Sequence, residues 1–177
     1  MPLIEHGHRD FGENKAQEAL EKWTEIKNKN ENIKLHMVGK LQTNKVKFVL
    51  PLFDFIHSLD SLRLAKKISE EQKKYENKPK IFIQINIGNE SQKSGIDKSQ
   101  LSEFYNECIN LGLDICGTMC LPPVDNDPDI YFSEMKKITN ILNLNDMSMG
   151  MSEDYLKAVE YSSTHLRIGS KIFGARS

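Results

Sequence analysis

The sequence predicts an α/β fold, a TIM-type (β/α) barrel of parallel strands with seven of the usual eight strands present. Three observations predict it. Short β-rich runs alternate with longer runs of helical period along the whole chain. The strand-like runs carry one apolar face and one face interrupted by polar groups. The last two of them run directly into small residues that open a helix. At 177 residues the chain reads as one domain, 1–177, long enough to bury a core. It is short for a complete barrel, which needs ~250 residues and rarely fewer than ~200.

In chain order, strands are expected at 9–12, 33–39, 53–58, 80–87, 113–121, 147–151 and 165–169. Helices are expected at 15–28, 43–50, 61–75, 98–111, 129–142 and 153–161. In 33–39, His36 falls on the less apolar face. The run from Ser61 to Ile68 puts Leu64 and Ile68 on one side of a helix and the charges on the other. Pro79 stands before the fourth strand, Gly112 after a helix, and Pro122-Pro123 in a loop. Residues 81–87 alternate isoleucine with Phe82, Gln84 and Asn86, and 147–151 alternate methionine with small residues.

A strand covered by helices on both sides is apolar on both faces. Here the second face offers His36, Ser58, Gln84, Asn86, Thr118, Ser148 and Arg167. That favours a barrel whose interior holds polar groups over an open doubly wound sheet.

The chemistry concentrates on the last two strands. Ser152 precedes Glu153 and Asp154 and reads as the cap of a helix with acids in its first turn. Gly169-Ser170 opens a short terminal turn, where exposed backbone N–H groups suit an anion. Loops after the last two strands are where such barrels most often hold a phosphate. Arg167 would point inward beside it. Taken singly, Ser152 serves equally as a plain cap, and Arg167 equally as a buried ion-pair partner. Their joint placement favours a phosphate ligand.

Composition excludes other classes. With 24 basic and 25 acidic residues the formal charge is -1, so no general polyanion-binding surface is expected. No apolar run reaches the ~18 residues of a membrane span, and Met1–Gly7 lacks a secretory pattern. A soluble, cytoplasmic protein without nucleic-acid or membrane partners is expected. Cys108, Cys116 and Cys120 have no second Cys/His pair to complete a zinc site and read as buried reduced thiols.

Phe11-Gly-Glu-Asn14, the run from His36 to Lys45, Ile56-His-Ser-Leu-Asp60, Lys93-Ser-Gly95, Met147-Ser-Met-Gly-Met-Ser152 and the run from Arg167 to Arg176 follow one another in a specific order. In that order and spacing the chain resembles the pyridoxal phosphate homeostasis proteins (the YggS/PROSC group), over essentially its whole length. These in turn are similar to the barrel domain of alanine racemase without its second domain. The resemblance implies pyridoxal 5'-phosphate as cofactor. It implies that Ser152 and the Gly169-Ser170 backbone bind the phosphate, that Arg167 sits at the pyridine nitrogen, and that Asn14 lies close by. His36 and Ser58 would line the cavity, serving equally as interior hydrogen-bonded groups or as direct contacts of the cofactor.

The family's first strand carries the lysine that forms a Schiff base with the cofactor. Here only Pro2–Gly7 precede a segment resembling the tail of the helix that follows that strand. Strand 1 and its lysine are therefore absent, and the sequence is expected to continue upstream of Met1. Lys15, Lys40, Lys45 and Lys93 are not expected on an inward face. The chain as written is expected to bind the cofactor weakly and without a covalent bond, and its two open sheet edges favour instability or association.

By resemblance, the expected function is to carry or buffer pyridoxal phosphate without turnover and release it to other enzymes' apo forms. An amino-acid racemase or decarboxylase is the enzymatic alternative. Racemisation needs proton donors on both faces of the substrate adduct, and this chain has neither the lysine nor a second domain to bring a tyrosine. A cofactor-free interaction protein on the same fold is the third reading.

Overall fold

The computed structural model describes residues 2–76, 78–90, 94–124 and 126–174. Lys93 and Arg176, both part of the motifs above, lie outside the described residues. The elements are α1 (Pro2–Glu5), β1 (Asp10–Glu13), α2 (Ala16–Lys29), β2 (Lys34–Met37), a 3-10 turn (Thr43–Lys45) leading into α3 (Val46–Val49), and β3 (Phe55–Leu59). They continue as α4 (Leu62–Gln72), β4 (Lys80–Ile85), a 3-10 turn (Lys98–Gln100) leading into α5 (Leu101–Asn110), and β5 (Ile115–Cys120). The last are α6 (Pro128–Ile141), β6 (Asp146–Met151), α7 (Tyr155–Glu160), β7 (His165–Arg167) and α8 (Ser170–Phe173).

All six ladders are parallel and the strands stand side by side in chain order from β1 to β7. Among the described residues no ladder joins β7 back to β1. The seven strands form a nearly closed barrel, as expected. Across the interior, the rings of His36 on β2 and His165 on β7 approach to 5.8 Å between centroids.

Local signals account for the helices that cover the sheet. Ser61 caps α4, its hydroxyl accepting from Leu64 N at 3.4 Å, and Leu64, Ala65 and Ile68 turn inward. Asp127 caps α6 with Pro128 behind it, a position where a missing N–H costs nothing. The Trp23 indole on α2 donates to Glu13 Oε1 at 2.6 Å, fixing that helix over β1. Asp54 Oδ2 accepts from both Lys27 Nζ at 2.6 Å and Leu35 N at 2.7 Å, so one carboxylate ties α2 to β2.

The core has two layers. Ile56, Ile81, Ile83 and Ile85 face the helices and join one apolar cluster between sheet and helix shell. Burying each contributes about 1.5–3 kcal/mol. Phe82 and Met119 are equally buried but stand apart from that cluster. They fill the barrel interior, as strand alternation requires of residues between outward-facing neighbours.

One expected interior position is corrected. Thr118 faces the helices, paired with Thr139 of α6 at 2.5 Å. Ser58 is buried with its hydroxyl unpartnered, and its neighbour His57 stacks on Phe82 in the interior. Phe55 and His57 share the inner face by plain alternation, and the β3–β4 ladder slips between Ile56 and Leu59. Gln84 and Asn86 brace the loop after β4, Gln84 Nε2 donating to Ser94 O at 3.1 Å and Asn86 Nδ2 to Glu90 O at 2.9 Å.

Candidate functional site

Because every strand runs the same way, the residues that follow the strands gather at one mouth of the barrel. Asn14 follows β1, Ser152 follows β6, and Gly169 and Ser170 follow β7. Arg167 ends β7 inside the wall.

β6 is built to deliver two serines. Ser148 points inward. Gly150 has φ +92, a conformation side chains avoid, and a Cβ there would meet the Ala158 methyl at 2.6 Å. The β6–β7 ladder slips between Ser148 and Met151 around this glycine. The turn brings Ser152 under the start of α8, where its buried hydroxyl accepts from Gly169 N at 3.3 Å and Lys171 N at 3.4 Å. This corrects the expected role of Ser152. It does not cap the helix that follows: α7 begins at Tyr155, and Asp154 Oδ1 accepts from Met151 N at 2.6 Å instead. The backbone N–H of Lys171 joins the site without a signal of its own in the sequence.

Arg167 is held by two neutral acceptors. Nη1 donates to Ser148 Oγ at 2.6 Å and Nη2 to Cys120 O at 2.8 Å. It is therefore not the buried ion-pair partner that a lone arginine suggests. Burial lowers its proton affinity, but a guanidinium remains charged in any protein setting. A buried cation bonded to neutral groups favours an anionic or electron-rich ligand beside it.

Asn14 is exposed at the end of β1, and its carbonyl packs against Gly39, where a Cβ would overlap it. Among the described residues no hydrogen bond joins its side chain to the Ser152 group. Gly169 and Ser170 are exposed, and a Cβ on Gly169 would meet nothing. Lys15 pairs with Glu18 at 2.6 Å on the surface, Lys40 is exposed, and Lys45 lies over the Phe48 ring.

Below this mouth the interior is packed with rings. His36 stacks on Phe55 at 4.4 Å and His57 on Phe82 at 4.3 Å. His165 meets Phe82 edge-on at 5.0 Å. Burial lowers the pKa of all three histidines, against the pull of Asp10 at His36 and with the further push of His36 and Arg167 at His57. His57 had no place among the expected site residues. Its signal was the alternation of Phe55 and His57 on a strand whose Phe55 pairs with His36.

The thiols take no part. Burial pushes Cys108, Cys116 and Cys120 up to about 12, so they stay protonated and unreactive. Among the described residues no cluster of ligating side chains could hold a metal ion, and no helix is long and apolar enough to cross a membrane.

A nearly closed parallel barrel with an arginine and small-residue turns at its carboxyl mouth defines a class, and a family model confirms it. The alanine racemase N-terminal domain matches residues 1–177. The pyridoxal phosphate homeostasis protein of Pasteurella multocida is 34% identical over 181 residues, covering 96% of this chain and 78% of that protein. Its counterpart in Escherichia coli K12 is 32% identical, covering 98% and 78%. The chain belongs to the pyridoxal phosphate homeostasis proteins within the alanine racemase N-terminal-domain family. Among solved structures, PipY of Synechococcus elongatus with pyridoxal phosphate bound superposes with a TM-score of 0.90 at 29% identity, over 98% of this chain and 85% of PipY. Alanine racemase of Clostridium difficile shares the fold at a TM-score of 0.73 and 14% identity, over 98% of this chain and 47% of the racemase.

Proposed function

We propose that this chain binds pyridoxal 5'-phosphate at the carboxyl mouth of the barrel and serves its homeostasis, carrying or buffering it for other enzymes without turnover. The ligands would be Asn14, Ser152, Arg167, Gly169 and Ser170. One observation carries the reading. The Ser152 hydroxyl gathers the N–H groups of Gly169 and Lys171 within 3.4 Å, and the charged Arg167 lies at the end of the neighbouring strand. A phosphate suits the first feature and an aromatic ring nitrogen the second. The residues present therefore fit the group.

When bound, pyridoxal phosphate supplies an aldehyde that captures amines and a ring that can accept electrons. The side chains of this protein restrain the second property. Arg167 keeps its protons on Nη1 and Nη2, so it does not pass one to the ring nitrogen, and the ring stays a poor electron sink. Ser152 and the backbone N–H groups bind and orient without acid–base chemistry. Lys15, Lys40 and Lys45 lie on the surface, which supports retention without a covalent bond.

Equilibrium dialysis with pyridoxal phosphate tests this, with pyridoxal lacking its phosphate as the control. Binding is expected for the phosphate form, weakened about tenfold or more by S152A and by R167Q, each of which removes a hydrogen-bond partner of a charged ligand. Borohydride reduction followed by peptide mapping is expected to leave every lysine unmodified. Equal binding by S152A, or preference for the form without phosphate, would overturn the site. A lysine adduct would overturn the non-covalent reading.

A further inference from the structure

Inside the barrel, Arg167 heads a row of polar groups that the cofactor reading does not use. Nη1 of Arg167 donates to Ser148 Oγ at 2.6 Å. Ser148 Oγ is 2.8 Å from His57 Nδ1, His57 Nε2 is 3.0 Å from His36 Nδ1, and His36 Nε2 is 3.1 Å from Asp10 Oδ1. The five residues come from β7, β6, β3, β2 and β1, so the row crosses the interior from one edge strand to the other.

Heavy atoms alone do not place the hydrogens on imidazoles, but the two ends of this row do. A guanidinium can only donate, and an ionised carboxylate can only accept. With Arg167 donating to Ser148, the hydroxyl proton is free for His57 Nδ1. His57 then carries its proton on Nε2 and gives it to His36 Nδ1. His36 likewise carries its proton on Nε2 and gives it to Asp10. Every contact is satisfied with both rings neutral. The reversed order would turn a bare lone pair of His36 Nε2 toward the Asp10 carboxylate and leave the Ser148 proton without an acceptor. Burial and the neighbouring Arg167 charge disfavour a doubly protonated His57.

We propose that His57 and His36 are positioning residues: through Ser148 they form a one-way hydrogen-bond chain, anchored on Asp10, that holds the Arg167 guanidinium in its orientation at the ligand mouth. The direction of the chain stands on the geometry alone. Its consequence for ligand binding rests on the reading of Arg167 given under Proposed function.

Two measurements on the whole chain test it. Long-range proton–nitrogen correlation NMR without ligand is expected to show the Nε2–H tautomer for both His36 and His57 at neutral pH. S148A cuts the chain at its arginine end only, and the Asp10 end is expected to hold both rings as the Nε2–H tautomer. An Nδ1–H tautomer at either ring, in the unaltered chain or in S148A, overturns the chain. Pyridoxal phosphate binding then reads its consequence. H57F keeps a ring against Phe82 but ends the chain, and is expected to weaken binding about tenfold, the worth of one hydrogen bond to a charged group. H57Q offers an amide that accepts and donates, and is expected to restore binding to within about threefold. The opposite ranking, with Phe tolerated and Gln not, would mean that His57 only packs. If the unaltered chain binds no pyridoxal phosphate, the functional reading falls while the tautomers still decide the chain.

Discussion

Gly39, two residues past the end of β2, lies flat against the carbonyl of Asn14, two strands' ends meeting with no room for a methyl group. The contact is one of backbone with backbone: a Cβ on Gly39 would run into the carbonyl and Cα of Asn14. G39A is expected to cost about 1–3 kcal/mol, the usual range for overpacking. Urea unfolding should show a lower midpoint at an unchanged slope. An unaltered midpoint would mean that the Asn14 turn yields freely.

Thr118 and Thr139 offer a sharper test of a buried pair. Thr139 Oγ1 donates to Met135 O at 2.8 Å, so Thr118 must donate to Thr139. T139V strands the Thr118 hydroxyl and is expected to cost about 1–3 kcal/mol. Replacing both by valine removes donor and acceptor together, and the double variant should be more stable than T139V alone. A double variant that is simply the sum of two losses would show that the hydroxyl pair is not what stabilises this contact.

Stability should fall on mild acidification. His36, His57 and His165 all have pKa values lowered by burial, His57 well below the usual 6.5. Below 6.5 the unfolded chain binds protons that the folded chain refuses. Stability is therefore full above that pH and is lost as the pH drops from 7 toward 5. Each buried histidine contributes at most about 1.4 kcal/mol per pH unit. The charges that face these rings are Asp10, Arg167, Asp146, Lys34, Lys80 and Asp54. The lowered carboxylates, such as Glu71 at about 2, act at lower pH and do not enter this window. Urea midpoints at pH 7 and pH 5 check this, and H57F should flatten the difference. A midpoint that holds or rises at pH 5 would refute it.

G150A should separate the wall from the mouth. A side chain at φ +92 is strained, and its Cβ would press on Ala158. The expected cost is about 1–3 kcal/mol. Because Gly150 sets the turn that brings Ser152 to Gly169 and Lys171, pyridoxal phosphate binding should fall further than stability does. Dialysis under conditions where the variant remains folded reads that difference.

Much of this architecture was legible in the sequence because its signals are local. The isoleucines of 81–87 declared their common face, Ser61 its helix start, and Arg167-Ile-Gly-Ser its turn. What stayed hidden depends on contacts far along the chain. His57 was overlooked because Ser58 was read as the inward residue of β3, although Phe55 and His57 alternate onto the inner face and only the ring stack with His36 and Phe82 makes that face plain. Ser152 followed by two acids looks like a helix cap, and only the fold shows its hydroxyl serving residues 17 and 19 positions later. Thr118 looked like one more polar group facing inward until α6 supplied its partner.

The stacked rings of His36, Phe55, His57 and Phe82 turn the barrel into a cup with a solid floor. Among the described residues those rings fill the interior below the carboxyl mouth, so a molecule seated there would leave by the way it came. A newcomer cannot push a resident out from behind, so exchange must wait for the resident to depart. If the chain carries pyridoxal phosphate as proposed, the rate of handing it on would be the ligand's own escape rate, whatever the concentration of the next in line.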